Sequence, residues 1–73
     1  MRRSDVLRRW RTAYDHAAST AAHHQLIVDL GADADLARAS DLEVTRTAAE
    51  AQRLYAILTP ADKAAADRIK ETT

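Results

Sequence analysis

A single glycine, Gly31, separates two runs of residues that recur at alternating steps of three and four. Before it come Leu7, Trp10, Tyr14, Ala17, Ala21, His24 and Val28. After it come Ala37, Ser40, Val44, Thr47, Ala51, Leu54 and Leu58. That spacing sets each run along one face of an α-helix. Glycine enters the left-handed conformation that closes a helix at little steric cost. The pattern predicts an all-α fold built on a long antiparallel helical hairpin. Its helices cover about residues 5–30 and 35–58, joined by a turn at about 31–34.

Local signals agree with these limits. Ser4 suits an N-cap, with Asp5 meeting the positive end of the first helix, and Asp33 or Asp35 suits the cap of the second. Thr59-Pro60-Ala61-Asp62 is a strong start signal. The threonine can accept from an orphan amide, the proline loses no needed donor, and the aspartate faces the dipole. A short third helix is expected over about residues 60–70. The whole chain, 1–73, reads as one small helical domain.

The apolar content is less generous than it looks. Hydrophobic residues make up 47% of the chain, but 17 of those 34 are alanine. No cysteine is present to form a disulfide or a thiolate metal site. A hairpin this thin needs a third helix, a second copy or a partner to complete its core.

The faces show where such a contact would fall. The first helix centres on Trp10, Tyr14, Ala17, Ala21 and Val28, and the second on Ala37, Val44, Ala48, Ala51, Tyr55 and Leu58, flanked by Leu36 and Leu54. The back of the second helix carries a weaker stripe of Leu42, Ala49, Ala56 and Ile57. Ala61, Ala64, Ala65 and Ile69 of the third helix are expected to cover that stripe near Ala56, too short to reach Leu42. Leu26 and Leu30 also fall off the main stripe. Leu26, Leu30, Leu42, Ala49 and Ile57 are therefore the expected protein-interface residues. Two hairpins stacking through such faces would form a four-helix bundle, so a homodimer is expected.

Charge narrows the function classes. Formal net charge is zero, so no global field draws the chain to nucleic acid or an anionic membrane. No apolar run approaches the roughly 20 residues of a membrane span, and no apolar leader core is seen, so a cytoplasmic location is expected. Nine arginines against two lysines, with abundant alanine, lead to the expectation of a GC-rich bacterial genome or one of its phages. Glu43, Arg46, Glu50 and Arg53 alternate in sign at helical spacing, and such a stripe can pair within its helix or across an interface.

The first eleven residues are strongly biased: Arg2, Arg3, Arg8, Arg9 and Arg11 face a single acid, Asp5. Arginine forks match phosphate, and an exposed Trp10 could stack a base, which gives a nucleic-acid-binding regulator as the alternative reading. Against it, Trp10 lies on the core stripe and the remainder of the chain carries −4 by difference. Asp62 and Asp67 are candidate partners for these arginines.

Chemistry finds little footing. His16 and His23 stand seven residues apart, about 10.5 Å of rise, too far to share one ion. His24 flanks the core, where bonding a neighbour is expected. There is no Gly-rich phosphate loop, no cysteine nucleophile and no paired-carboxylate spacing. No catalytic residue, metal or cofactor is expected. The reading is a non-catalytic protein-interaction module: a small adaptor, inhibitor or regulatory subunit.

Overall fold

The structure is a computed structural model that describes residues 3–72, with side chains from residue 5. Its three helices are α1 (Arg3–Asp29), α2 (Ala34–Ala56) and α3 (Pro60–Thr72). α1 and α2 pack along each other as a hairpin, and α3 packs against α1.

The turns follow local chemistry. Gly31 has φ +73°, in the left-handed region, and its N–H donates to the Val28 carbonyl at 3.0 Å. Asp33 rather than Asp35 caps α2, its Oδ1 accepting from the Leu36 amide at 2.8 Å. Asp35 lies in the first turn of α2, where a carboxylate favours the dipole. Thr59 caps α3, with Oγ1 accepting from the Asp62 amide at 3.2 Å. α1 begins at Arg3, so Ser4 lies inside the first helical turn and is not its N-cap.

One cluster forms the core, and it sits at the open end of the hairpin. Trp10 (1% exposed), Leu54, Leu58 and Ala66 (0%) are packed together, bordered by Val6, Leu7, Ala13, Tyr14, Tyr55 and Ile69. The Trp10 and Tyr14 rings stack with centroids 5.0 Å apart, and Tyr55 tilts against Trp10 at 6.4 Å. Both separations suit aromatic pairs, which add about 0.5–1.5 kcal/mol each beyond the area they bury.

The path of α3 differs from the sequence expectation. It lies on the Trp10–Tyr55 side and leaves Ala56 and Ile57 on the back of α2 exposed. Asp62, Ala66 and Ile69, spaced i, i+4, i+7, form its inner face. Ala61 and Ala64, expected to be inward, are exposed. The physical reason is payload: covering an indole removes far more apolar area from water than covering an alanine methyl. Lys63 and Lys70 place their ammonium groups 5.6 and 4.2 Å from the Tyr55 ring centroid, and the Tyr55 hydroxyl donates to Asp67 Oδ1 at 2.9 Å.

Towards Gly31 the seam becomes thin and polar. Thr20 Oγ1 and Thr47 Oγ1 lie 2.8 Å apart, and His24 Nδ1 is 3.0 Å from Ser40 Oγ. Ala21 and Val28, expected in the core, are exposed, and the seam runs instead through Thr20, His24 and Ile27. Leu7, Tyr14, Ala21 and Val28 form one seven-residue column on the flank that α3 covers. α3 has 13 residues, about 20 Å, against about 40 Å for the 27 residues of α1. Its cover therefore reaches Leu7 and Tyr14 and stops short of Ala21 and Val28.

The result is elongated. The radius of gyration is 14.3 Å, against about 11 Å for a compact chain of this length. The accessible surface is 5269 Å², about 770 Å² above the roughly 4,500 Å² of a typical monomer of 8.1 kDa.

Candidate protein interface

Two troughs flank the α1–α2 seam. The first, about 300 Å³, is lined by Trp10, Tyr14, Ala17, Ala48, Ala51, Gln52, Tyr55 and Lys70. It continues the groove whose lower end α3 fills. The alanines let the helices approach closely here, since small side chains set the short end of interaxial distance.

The second trough lies on the opposite side of the seam. Val6, Leu54 and Ile57 contribute its apolar surface, and Arg8, Arg9, His16, Glu50 and Arg53 its charged groups, around a volume of about 590 Å³. It continues towards Gly31 as a narrower trough past Ala13, Glu43, Arg46 and Thr47.

The electrostatics of this side are local. Arg53 donates to both Glu50 oxygens, at 3.1 and 2.6 Å, and Arg46 stands 3.7 Å from Glu43. The hydrogen bond from Arg53 holds the Glu50 carboxyl below its ordinary range, and the same contact raises Arg53. Arg8 lies 3.8 Å from Asp5, and Arg11 donates to Asp15 at 3.1–3.2 Å. These are i, i+3 and i, i+4 neighbours on one helix, so the described arginines do not reach Asp62 or Asp67 as expected. Pairs this close in sequence meet without bending the chain, and water screens each exposed one, so they add little net stability. Arg9 makes no ion pair among the described residues. Arg2 and the side chain of Arg3 lie outside the described residues.

All five expected interface residues are exposed, though not on one continuous face. Leu30 is 77% exposed, Ile57 62%, Leu42 61% and Leu26 54%, and Ala49 is exposed beside them. Ile57 lines the arginine trough. Leu26 on α1 and Leu30 just past its end stand near Gly31, and Leu42 and Ala49 on the back of α2. Val28 and Leu36, each 49% exposed, join the set. Sequence reasoning missed them because it extended the buried stripe to the ends of the hairpin. The brevity of the segment after Pro60 was the available signal.

Histidine and acid placement gives no convergent ligand set. Among the described residues no three His, Cys, Asp or Glu side chains are arranged to hold a metal ion. His24 Nε2 lies 4.0 Å from Asp41 Oδ1, while His16 and His23 are exposed. No helix among the described residues is long and apolar enough to cross a membrane. Comparison with protein-family models, curated proteins and solved structures finds no match to this chain.

Proposed function

We propose that this protein is a non-catalytic interaction module, a small adaptor, inhibitor or regulatory subunit. It acts by burying helix faces against a protein partner, and it self-associates as a homodimer. The observation that carries this reading is the division of the hairpin. The open end holds a packed aromatic core, while Leu26, Val28, Leu30, Leu36, Leu42 and Ile57 remain in water. Scattered exposed leucines are common on monomers. Here they accompany an excess surface of about 770 Å², close to the roughly 800 Å² each partner gives to a standard interface.

Burial of Trp10 favours protein binding over the nucleic-acid alternative. With the indole 1% exposed, Trp10 offers no ring for base stacking beside the arginine cluster.

The test is molar mass by light scattering over a concentration series. The expected result is a reversible rise from 8.1 kDa towards twice that value, abolished by Leu30→Ser with Ile57→Ser. A mass fixed at 8.1 kDa at every concentration would remove the homodimer from the proposal.

A further inference from the structure

The edge of α2, with its C-cap Ile57, carries a stripe of six residues at strict steps of four and three: Ala39, Glu43, Arg46, Glu50, Arg53 and Ile57. Read in order, it is apolar, acid, base, acid, base, apolar. Five of the six line the arginine trough and its continuation, with Glu43, Arg46 and Glu50 in the narrow part and Arg53 and Ile57 at the wide end. Reversed end for end about Ala48, the stripe matches itself with opposite charge. Glu43 falls opposite Arg53, Arg46 opposite Glu50, and Ala39 opposite Ile57. We infer that this edge docks a second copy of the chain antiparallel, about a two-fold axis near Ala48.

Larger-scale charge favours the same arrangement. Residues 26–43, around the turn, hold five acids against Arg38, a net −4. Residues 5–14, at the open end, hold three arginines against Asp5, a net +2. An antiparallel pair sets each basic end beside the partner's acidic end, whereas a parallel pair sets like beside like. Complementary fields of this kind select orientation and raise the association rate. A two-fold contact is also self-limiting, since the same patch serves both copies and closes the assembly at two.

The apolar residues fit this direction. Val6, Leu54 and Ile57 border the wide end of the trough. Leu30 shares the helical face of His16, fourteen residues earlier, and Leu36 shares that of Glu43 and Glu50. Both leucines extend the trough's side of the hairpin towards the turn. In the antiparallel pair they approach the partner's Val6–Ile57 end. The molecule, α3 included, spans 43 Å in its longest direction, and the stripe from Ala39 to Ile57 covers about 27 Å of helix, so the whole stripe can lie against its copy.

The inference rests on the self-association proposed above, and a charge-swap series separates the two. Glu43→Arg and Arg53→Glu are each made alone and together, and dimer dissociation constants are measured by sedimentation equilibrium with helicity checked by circular dichroism. Each single change puts two like-charged contacts into an antiparallel dimer and is expected to weaken it about tenfold. The double change restores both contacts, and affinity should return to within a few-fold of the parent. A 1:1 mixture of the two single variants should form heterodimers in preference to either homodimer. Equal weakening by the double variant, in a parent that dimerises, overturns the antiparallel geometry and leaves self-association standing. A parent that stays monomeric overturns both.

A second measurement avoids the charge changes. The chain has no cysteine, so Ala34→Cys places one spin label at the exposed start of α2. Antiparallel docking about Ala48 separates the two labels by roughly 42 Å along the helix. A parallel dimer brings them within about 20 Å, and that distance would overturn the inference.

Discussion

Leu54→Ala and Leu42→Ala delete the same atoms from the same helix, and the structure expects very different costs. Leu54 is 7% exposed and belongs to the cluster of Trp10, Leu58 and Ala66, whereas Leu42 is 61% exposed on the back of α2. Truncating a buried leucine costs about 2–5 kcal/mol, from lost transfer energy and the residual cavity. Leu54 borders the open arginine trough, so its surroundings can collapse partly into the space, and the lower part of that range applies, about 2–3 kcal/mol. A chain of 73 residues has a total stability of about 4–11 kcal/mol. The Leu54 change therefore removes about a fifth or more of it and lowers Tm by about 10–20 °C. The Leu42 change should stay within about 0.5 kcal/mol. Both are read from urea unfolding by circular dichroism, at a dilution where the chain is monomeric. Equal losses for the two variants, or a Leu54 loss under about 1 kcal/mol, would refute the placement of the core.

Other consequences follow from single residues. Ala66→Leu forces three extra carbons between α3 and the core where no surface is exposed, and should cost about 1–3 kcal/mol. Fluorescence of Trp10, the only tryptophan, should shift to the red as α3 loosens; an unshifted spectrum with unchanged stability would argue against this packing. Gly31→Ala meets no atom within 4 Å, so only the strained φ of +73° penalises it, by about 1–2 kcal/mol; a raised Tm would contradict the turn. The hydrogen bond to Asp67, followed by burial and the charge of Asp67, holds the Tyr55 phenol above its ordinary value of 10.0. Because the folded value is raised, this contribution to stability is whole below pH 10 and is lost as pH rises through the folded value. In a Tyr14→Phe background, the ultraviolet titration of Tyr55 should have its midpoint above 10, and Asp67→Asn should bring it back down. Equal midpoints in the two proteins would dismiss the Asp67 contact.

The α2 face was legible because its stripe is covered along its whole length, with α3 joining α1 over Leu54 and Leu58. Ala37, Ser40, Val44, Thr47, Ala51, Leu54 and Leu58 are all buried or half-buried. The α1 face was legible only at its open end. Leu7, Trp10 and Tyr14 are covered, but Ala21 and Val28 continue the same column into water because α3 ends first. Spacing reports which residues share a face and says nothing of how far a neighbour extends along it. Thr20 went unread because a hydroxyl carries no apolar signal, although it completes the column Val6, Ala13, Thr20, Ile27. The side chosen by α3 was also hidden, since its alanines fit several directions. Capping could be read at Asp33 and Thr59, where one side chain meets one amide. At the candidate interface, exposure of Leu26, Leu30, Leu42, Ala49 and Ile57 followed from their leaving the main stripes. The end-for-end symmetry of the Glu43–Arg53 stripe gained meaning once a trough was seen beside it.

The central claim is that one end of the hairpin holds the fold while the turn end and the α2 edge meet another chain. Amide chemical shifts recorded by NMR across a dilution series test it most directly. Concentration-dependent shifts are expected at Leu30, Leu36 and Ala39, along Glu43 to Ile57, and at Val6 to His16, with α3 unchanged. Spectra that superimpose from micromolar to millimolar concentration, or shifts confined to α3, would contradict it.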